Sequence, residues 1–222
     1  DGQLRRNFRG AMDFLMVKRA AQFADDEECE QLRAFGNRVR ARALSRLPAL
    51  LEQLEARLTR NDVQVHWAES VDEANTIVHS IVAAHEAKNL IKGKSMVSEE
   101  MEMNHFLGER GVDCLESDMG EFIVQLRAEK PSHIIMPAIH LNVGQVAALF
   151  HDKLEVDYTE DVDLLIQIGR ETLRRKFFEA DIGVSGVNFA VAETGTLVLV
   201  ENEGNGRMST TVPPVHIAVT GI

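Results

Sequence analysis

The side chains best suited to chemistry gather in four polar clusters, the richest lying between Gly183 and Ile222. There Glu193-Thr194-Gly195-Thr196 offers a carboxylate, two hydroxyls and a glycine that lets a ligand approach the backbone. Further on, Glu201-Asn202-Glu203-Gly204-Asn205-Gly206-Arg207 adds acids, amides and a guanidinium. Arg207 can grip a planar carboxylate through two parallel N–H bonds, which suits a small organic acid. Polar turns between apolar segments are where a rigid scaffold presents functional groups.

A second cluster, Lys92-Gly93-Lys94-Ser95-Met96, sets two ammonium groups and a hydroxyl ahead of a helix start, whose N–H groups also favour a carboxylate or phosphate. It lacks the spaced glycines of a Walker loop, and Lys94 and Ser95 are its anion-binding candidates. A third, Glu116-Ser117-Asp118-Met119-Gly120-Glu121, places three carboxylates after a strand. Held close together, carboxylates raise one another's proton affinity, so one can serve as acid or base near neutral pH; cation binding or plain solvation are the alternatives. The fourth runs from Pro131-Ser132-His133 to Pro137-Ala138-Ile139-His140. His140 is a candidate proton carrier. The spacing of the two histidines is not that of a helical zinc site, and no metal ligand set is assigned.

Positioning these clusters falls to strands and helices in alternation. Val63 to Trp67 reads as a strand, Val71 to Ala87 as a helix, Asn89 to Ile91 as a strand and Ser98 to Arg110 as a helix capped by Ser98. Val112 to Glu116 and His133 to Met136 read as strands, and Gly120 to Arg127 is ambiguous. Asn142 caps a helix through His151, a longer helix spans Glu160 to Glu179, and three β-rich segments follow: Val187 to Val191, Thr196 to Val200 and Val215 to Val219. Such alternation implies right-handed crossovers and a mainly parallel sheet covered on both faces, with ligands at the carboxyl ends of its strands. Ahead of it, residues 4–23 form one amphipathic helix. Leu32, Phe35, Val39, Ala43, Leu47, Leu50, Leu51, Leu54 and Leu58 draw an apolar stripe along another, kinked or restarted at Pro48. The expected organisation is a helical extension over 1–61 and an α/β domain over 62–222.

Charge narrows the function. The formal net charge is −11, but residues 1–60 hold 12 basic and 9 acidic side chains while the remainder hold 12 and 26. An acidic main domain repels nucleic acid. With no long apolar run and no leader at the start, the expectation is a cytoplasmic protein without a transmembrane segment, peripheral membrane contact being an alternative for the basic helices. Cys29 and Cys114 stand alone, without a C-x-x-C pair, and form neither a disulfide framework nor a cysteine-rich metal site.

The motifs KSMVSEE, ESDMGEFIVQL, PSHIIMPAIH and NFAVAETGTLVLVENEGNGRM, in this order and spacing, resemble the LUD domain. The likeness runs from about residue 5 to the end and is strongest to the domain at the amino-terminal side of iron–sulfur lactate-utilisation proteins. It implies a three-layer α/β/α fold similar to the ribose-phosphate isomerase and CoA-transferase group. It also implies a part in oxidising L-lactate to pyruvate, with companion lactate-utilisation proteins in a heteromeric complex. Family members of this type continue into a ferredoxin-like region whose cysteines hold [4Fe–4S] clusters. The expectation is therefore a fragment, with no cofactor in this chain and the clusters in the full-length protein.

On that reading the ligand is a small carboxylate such as lactate. Arg207 is its clamp with Lys94 assisting, and Glu193 or His140 is the base. Ser95, Asp118, Glu121, Thr194, Gly195, Thr196, Asn202, Glu203 and Asn205 complete the ligand-binding set. Two other readings stand beside it. Glu201-Asn202-Glu203-Gly204 looks like the Ser-Glu-Asn-Gly turn of CoA transferases, which would make Glu201 a nucleophile in group transfer. Alternatively the domain is a scaffold for its companions.

Overall fold

In the computed structural model, which describes residues 1–222, local capping chemistry decides where the helices begin. The chain divides into two compact units, Asp1–Val65 with Val191–Thr196, and His66–Ala190 with Leu197–Ile222. In the first unit, the Asp1 carboxylate accepts from the backbone N–H groups of Gln3 and Leu4 to start α1 (Gly2–Gln22). Asp25 does the same for α2 (Asp26–Ser45), whose first turn carries Asp26, Glu27 and Glu28 against the positive end of the helix dipole. The stripe expected over this region is two helices: the chain breaks at Arg46, and α3 (Leu47–Arg60) starts with Pro48 where its missing N–H costs nothing. Neither α1 nor α2 buries a residue, whereas α3 buries Leu58. After α3, Asn61 donates through Nδ2 to the carbonyls of Thr194 (3.0 Å) and Gly195 (3.3 Å). Gly195 has φ +69° and a Cβ there would sit 2.7 Å from the Arg57 backbone carbon, so only glycine permits the approach.

The second unit is the α/β body. Its elements are α4 (Val71–Ala84), β1 (Asn89–Lys92), α5 (Met96–Glu100), α6 (Met103–Gly108), β2 (Asp113–Glu116), α7 (Met119–Leu126), α8 (Val143–Leu154), α9 (Val162–Glu179), β3 (Ile182–Gly186), a pair β4 (Phe189–Val191) and β5 (Thr196–Val198) whose connecting residues fall in the first unit, α10 (Asn205–Thr211) and β6 (Val215–Val219). Four strands form one parallel sheet in the order β2-β1-β3-β6. Alternation along the strands feeds two faces. Leu90, Cys114, Ile182 and Val184 pack with Val78, Val82, Met103 and Leu107 of α4 and α6, whereas Ile91 packs with Phe177 and Met208 of α9 and α10. A third cluster, built on Phe122, Phe150, Leu165 and Leu173, joins α7, α8 and α9. Helices on both faces of a parallel sheet make the expected three-layer α/β/α fold.

Several local expectations are corrected. Val63 to Trp67 is irregular, having no neighbouring strand to pair with. The helix expected from Ser98 starts earlier, capped by Ser95, and is split in two at Glu102, which adopts φ +48°. The ambiguous Gly120 to Arg127 stretch is α7, capped by Asp118. His133 to Met136 is an irregular, bent segment, because His133 Nδ1 accepts the N–H groups of Ile135 and Met136 that a strand would need for pairing. No helix is long and apolar enough to cross a membrane.

Candidate functional site

Strand parity builds the centre of the site. Lys92 lies two residues after Leu90 and so shares its face, and Glu116 shares the face of Cys114 in the same way. The parallel register sets Lys92 directly beside Glu116 at the carboxyl ends of β1 and β2. Lys92 is wholly buried, and its ammonium lies 2.8 Å from Glu99 Oε1, 2.8 Å from Glu116 Oε1 and 3.1 Å from Ser98 Oγ. All three of its protons are thereby engaged. Burial alone would depress the ammonium, but Glu116 and Glu99 outweigh it and hold its pKa above the ordinary lysine value.

Around this ion cluster the backbone is tied with unusual thoroughness. Ser117 donates to the Lys92 carbonyl through both its backbone N–H and its hydroxyl, which locks the ends of β1 and β2 together. Gln125 of α7 accepts the Glu116 N–H and donates to the Cys114 carbonyl. Asn104 of α6 donates to Glu116 Oε1. On the third strand, Gly186 leaves room for Ser95, whose hydroxyl would lie 3.0 Å from any Cβ there.

Next to the buried cluster is a more open one. Lys94 pairs with Asp118 at 3.0 Å, the lysine side chain being 29% exposed and the aspartate 10%. Glu203, from the loop before α10, belongs with them: partial burial and then the charge of Asp118 push its carboxyl above the usual range. Glu121 completes the inner group. It is 5% exposed, and burial followed by the charge of Glu116 pushes it up to about 8.

The structure thus gathers Lys94, Ser95, Asp118, Glu121 and Glu203 of the sequence-derived candidates at the carboxyl ends of the strands. The other candidates stand differently. Glu193, Thr194, Gly195 and Thr196 belong to the first unit, where the Thr194 and Thr196 hydroxyls bond each other at 2.8 Å. His140 bridges Ser132 Oγ at 2.7 Å and Glu129 Oε2 at 2.9 Å, and Glu129 is gripped in turn by Arg127. Arg207 is exposed on α10, with Nε 3.5 Å from Glu201 Oε1, while Glu201 Oε2 accepts the Arg207 N–H. Glu201 thus satisfies a backbone N–H in the first turn of α10, whose N-cap is Gly204. Asn205 accepts the Gly206 N–H through its own side chain, and Asn202 is exposed.

Sequence reasoning missed Lys92, Glu99, Asn104 and Glu116 as members of one site. The available signal was parity: a lysine in phase with Leu90 at the end of an apolar strand points into a buried layer, where it needs carboxylates. The two cysteines do not suit an iron–sulfur cluster, which takes four thiolates in this cluster class. Cys29 lies on α2, and Cys114 is buried in β2 with its thiol pushed up to about 12 by burial and by Glu116.

Comparison with known proteins adds the kinship. A family model described as LUD domain matches residues 51–222. Lactate utilization protein B of Bacillus velezensis is 38% identical over 96% of this chain and 45% of its own length. The protein of the same name from Bacillus pumilus is 39% identical over 100% of this chain and 47% of its own. An Escherichia coli protein named uncharacterized electron transport protein YkgF is 39% identical over 87% of this chain and 41% of its own. The chain spans about half the length of these curated relatives. No solved structure matches.

Proposed function

The chain belongs to the LUD domain family, and from that premise we propose that it is a component of a lactate-utilisation system that oxidises L-lactate to pyruvate. The observation that carries this reading is the match of nearly the whole chain to curated proteins named Lactate utilization protein B. The domain's own share is to hold a small carboxylate at the carboxyl ends of β1 and β2, where parallel sheets gather their ligands. Lys94 is the cation suited to it, because its ammonium is partly exposed and can exchange Asp118 for a substrate carboxylate. Lys92 is spent on its own partners and holds the site's shape.

Lactate oxidation releases two protons and two electrons. Protons can pass to the carboxylates of the site, Glu121 and Glu203. In this reading the electrons pass to [4Fe–4S] clusters outside residues 1–222, in a cytoplasmic assembly with companion lactate-utilisation proteins. The test is genetic and enzymatic together. Deleting the gene in its natural host should abolish lactate-dependent reduction of an artificial electron acceptor in extracts. The wild-type gene should restore it and a Lys94→Ala version should restore less than about a tenth, the loss expected for a charge-assisted contact worth roughly 1.5–3 kcal/mol. Unchanged lactate oxidation in the deletion strain would remove this reading.

A further inference from the structure

We propose that Glu116 and Glu121 share a single proton and that this carboxyl pair is the acid–base group of the site. The case begins with the donors. Lys92 has committed its three N–H groups to Glu99, Glu116 and Ser98, and Gln125 has spent its amide on the backbone of β2. Asn104 supplies one bond to Glu116 Oε1. Glu116 Oε2 and Glu121 Oε2 nevertheless remain buried without a hydrogen-bond partner, on residues that are each 5% exposed. One carboxylate oxygen from each of Glu99, Glu116 and Glu121 lies within 4.8 Å of the others.

Two ionised carboxylates this close, with no donor between them, repel strongly in a poorly screened interior. A proton on Glu121 converts the contact into an O–H···O bond to Glu116 and lowers the buried charge by one. A divalent cation would also relieve the repulsion, but Lys92 already stands as the cation between Glu99 and Glu116. The charges that face Glu121 are Lys92 from β1, Glu99 from α5, Glu116 from β2 and Lys94 from the turn between β1 and α5. Burial and Glu116 favour the neutral acid, while the two lysines oppose it and keep the proton exchangeable.

When the pair has lost its proton, Glu121 can take one from a ligand hydroxyl: the ligand O–H bond breaks and a Glu121 O–H bond forms. In reverse the neutral acid returns it. That the ligand is a small hydroxy acid rests on the reading above, whereas the shared proton does not.

The experiment is a pH titration of the full chain labelled with ¹³C at the glutamate carboxyls, with Glu121 assigned through its bonds in the wild-type protein. Glu121 is expected to titrate near 8, and the same signal is expected to vanish in Glu121→Gln, whose amide imitates the protonated acid. If Glu121 titrates near the ordinary glutamate value of about 4, the shared proton is overturned. So is it if millimolar Mg²⁺ abolishes the high titration at neutral pH, since a cation would then do the work assigned to the proton. Lactate oxidation is scored separately: a high Glu121 titration in a protein without that activity would sink the lactate reading and leave the pair standing.

Discussion

Lys92 and Lys94 are two residues apart and have opposite fates, because one ends a strand inside the fold and the other begins the turn beyond it. Removing the buried cation should leave Glu99 and Glu116 facing each other unpaired. Lys92→Met is expected to cost roughly 3–5 kcal/mol in urea unfolding, whereas Lys94→Met, breaking a partly exposed pair, should cost under about 1 kcal/mol. Equal costs would mean that Lys92 does not hold the site together. Glu121 adds a pH dependence of definite sign. Its folded pKa of about 8 exceeds the ordinary 4.5, so between these values the folded protein binds more protons than the unfolded chain. Stability from this group therefore falls as pH rises from about 4.5 to about 8 and is level above. Glu121→Gln should flatten that slope, gaining on the wild type at pH 9 relative to pH 5 in thermal melts. At this scale the sequence displayed Lys94, Asp118 and Glu121 openly, since they follow strands in polar clusters. Lys92 and Glu116 stood in polar clusters too, but in separate ones, as an anion-binding ammonium and as one of three neighbouring carboxylates, and only register and parity bring them together as a buried ion pair.

Among the elements, the tightest constraint is where α10 crosses β3. A Cβ on Gly183 would fall 1.8 Å from the Ser209 carbonyl oxygen, which is backbone and cannot swing away. Gly183→Ala must therefore push α10 off the sheet, at a cost expected to exceed the roughly 1–3 kcal/mol usual for overpacking. Gly108, at the end of α6, has open space around its Cβ position and no positive φ. Gly108→Ala should instead be neutral or stabilise by about 0.4–1 kcal/mol, and thermal unfolding of the two variants gives the contrast directly. β1, β2 and β6 were legible because each is an apolar run bounded by turn residues. Val63 to Trp67 has the same local pattern but no partner, and pairing is a property of the fold that no short window contains. The break between α5 and α6 escaped notice for a related reason: Glu102 adopts a left-handed conformation that its residue type does not announce.

At the scale of the molecule, alternation of strands and helices was enough to give the α/β/α architecture, since parallel strands with helical crossovers have few other ways to bury both faces. Membership of the 191–196 tip in the first unit was not legible, because it depends on the Asn61 amide and the closeness of Gly195 to Arg57, contacts between residues far apart in sequence. The two units also differ in how their helices are held. α7, α8 and α9 each bury several side chains, so their opening requires disrupting a core. α1 and α2 bury none, although Phe14, Met16, Val17, Leu32, Phe35 and Val39 are large, apolar and exposed. Most helical stability in proteins comes from tertiary packing of an apolar face rather than from propensity, and these two helices bury no residue to supply it. Hydrogen exchange on the chain by itself should therefore run at least about a hundredfold faster in α1 and α2 than in β1 and β3, a gap of roughly 2.7 kcal/mol in opening free energy within the span found between frayed and core segments. Comparable protection would show that these helices draw stability from contacts beyond their own capped ends.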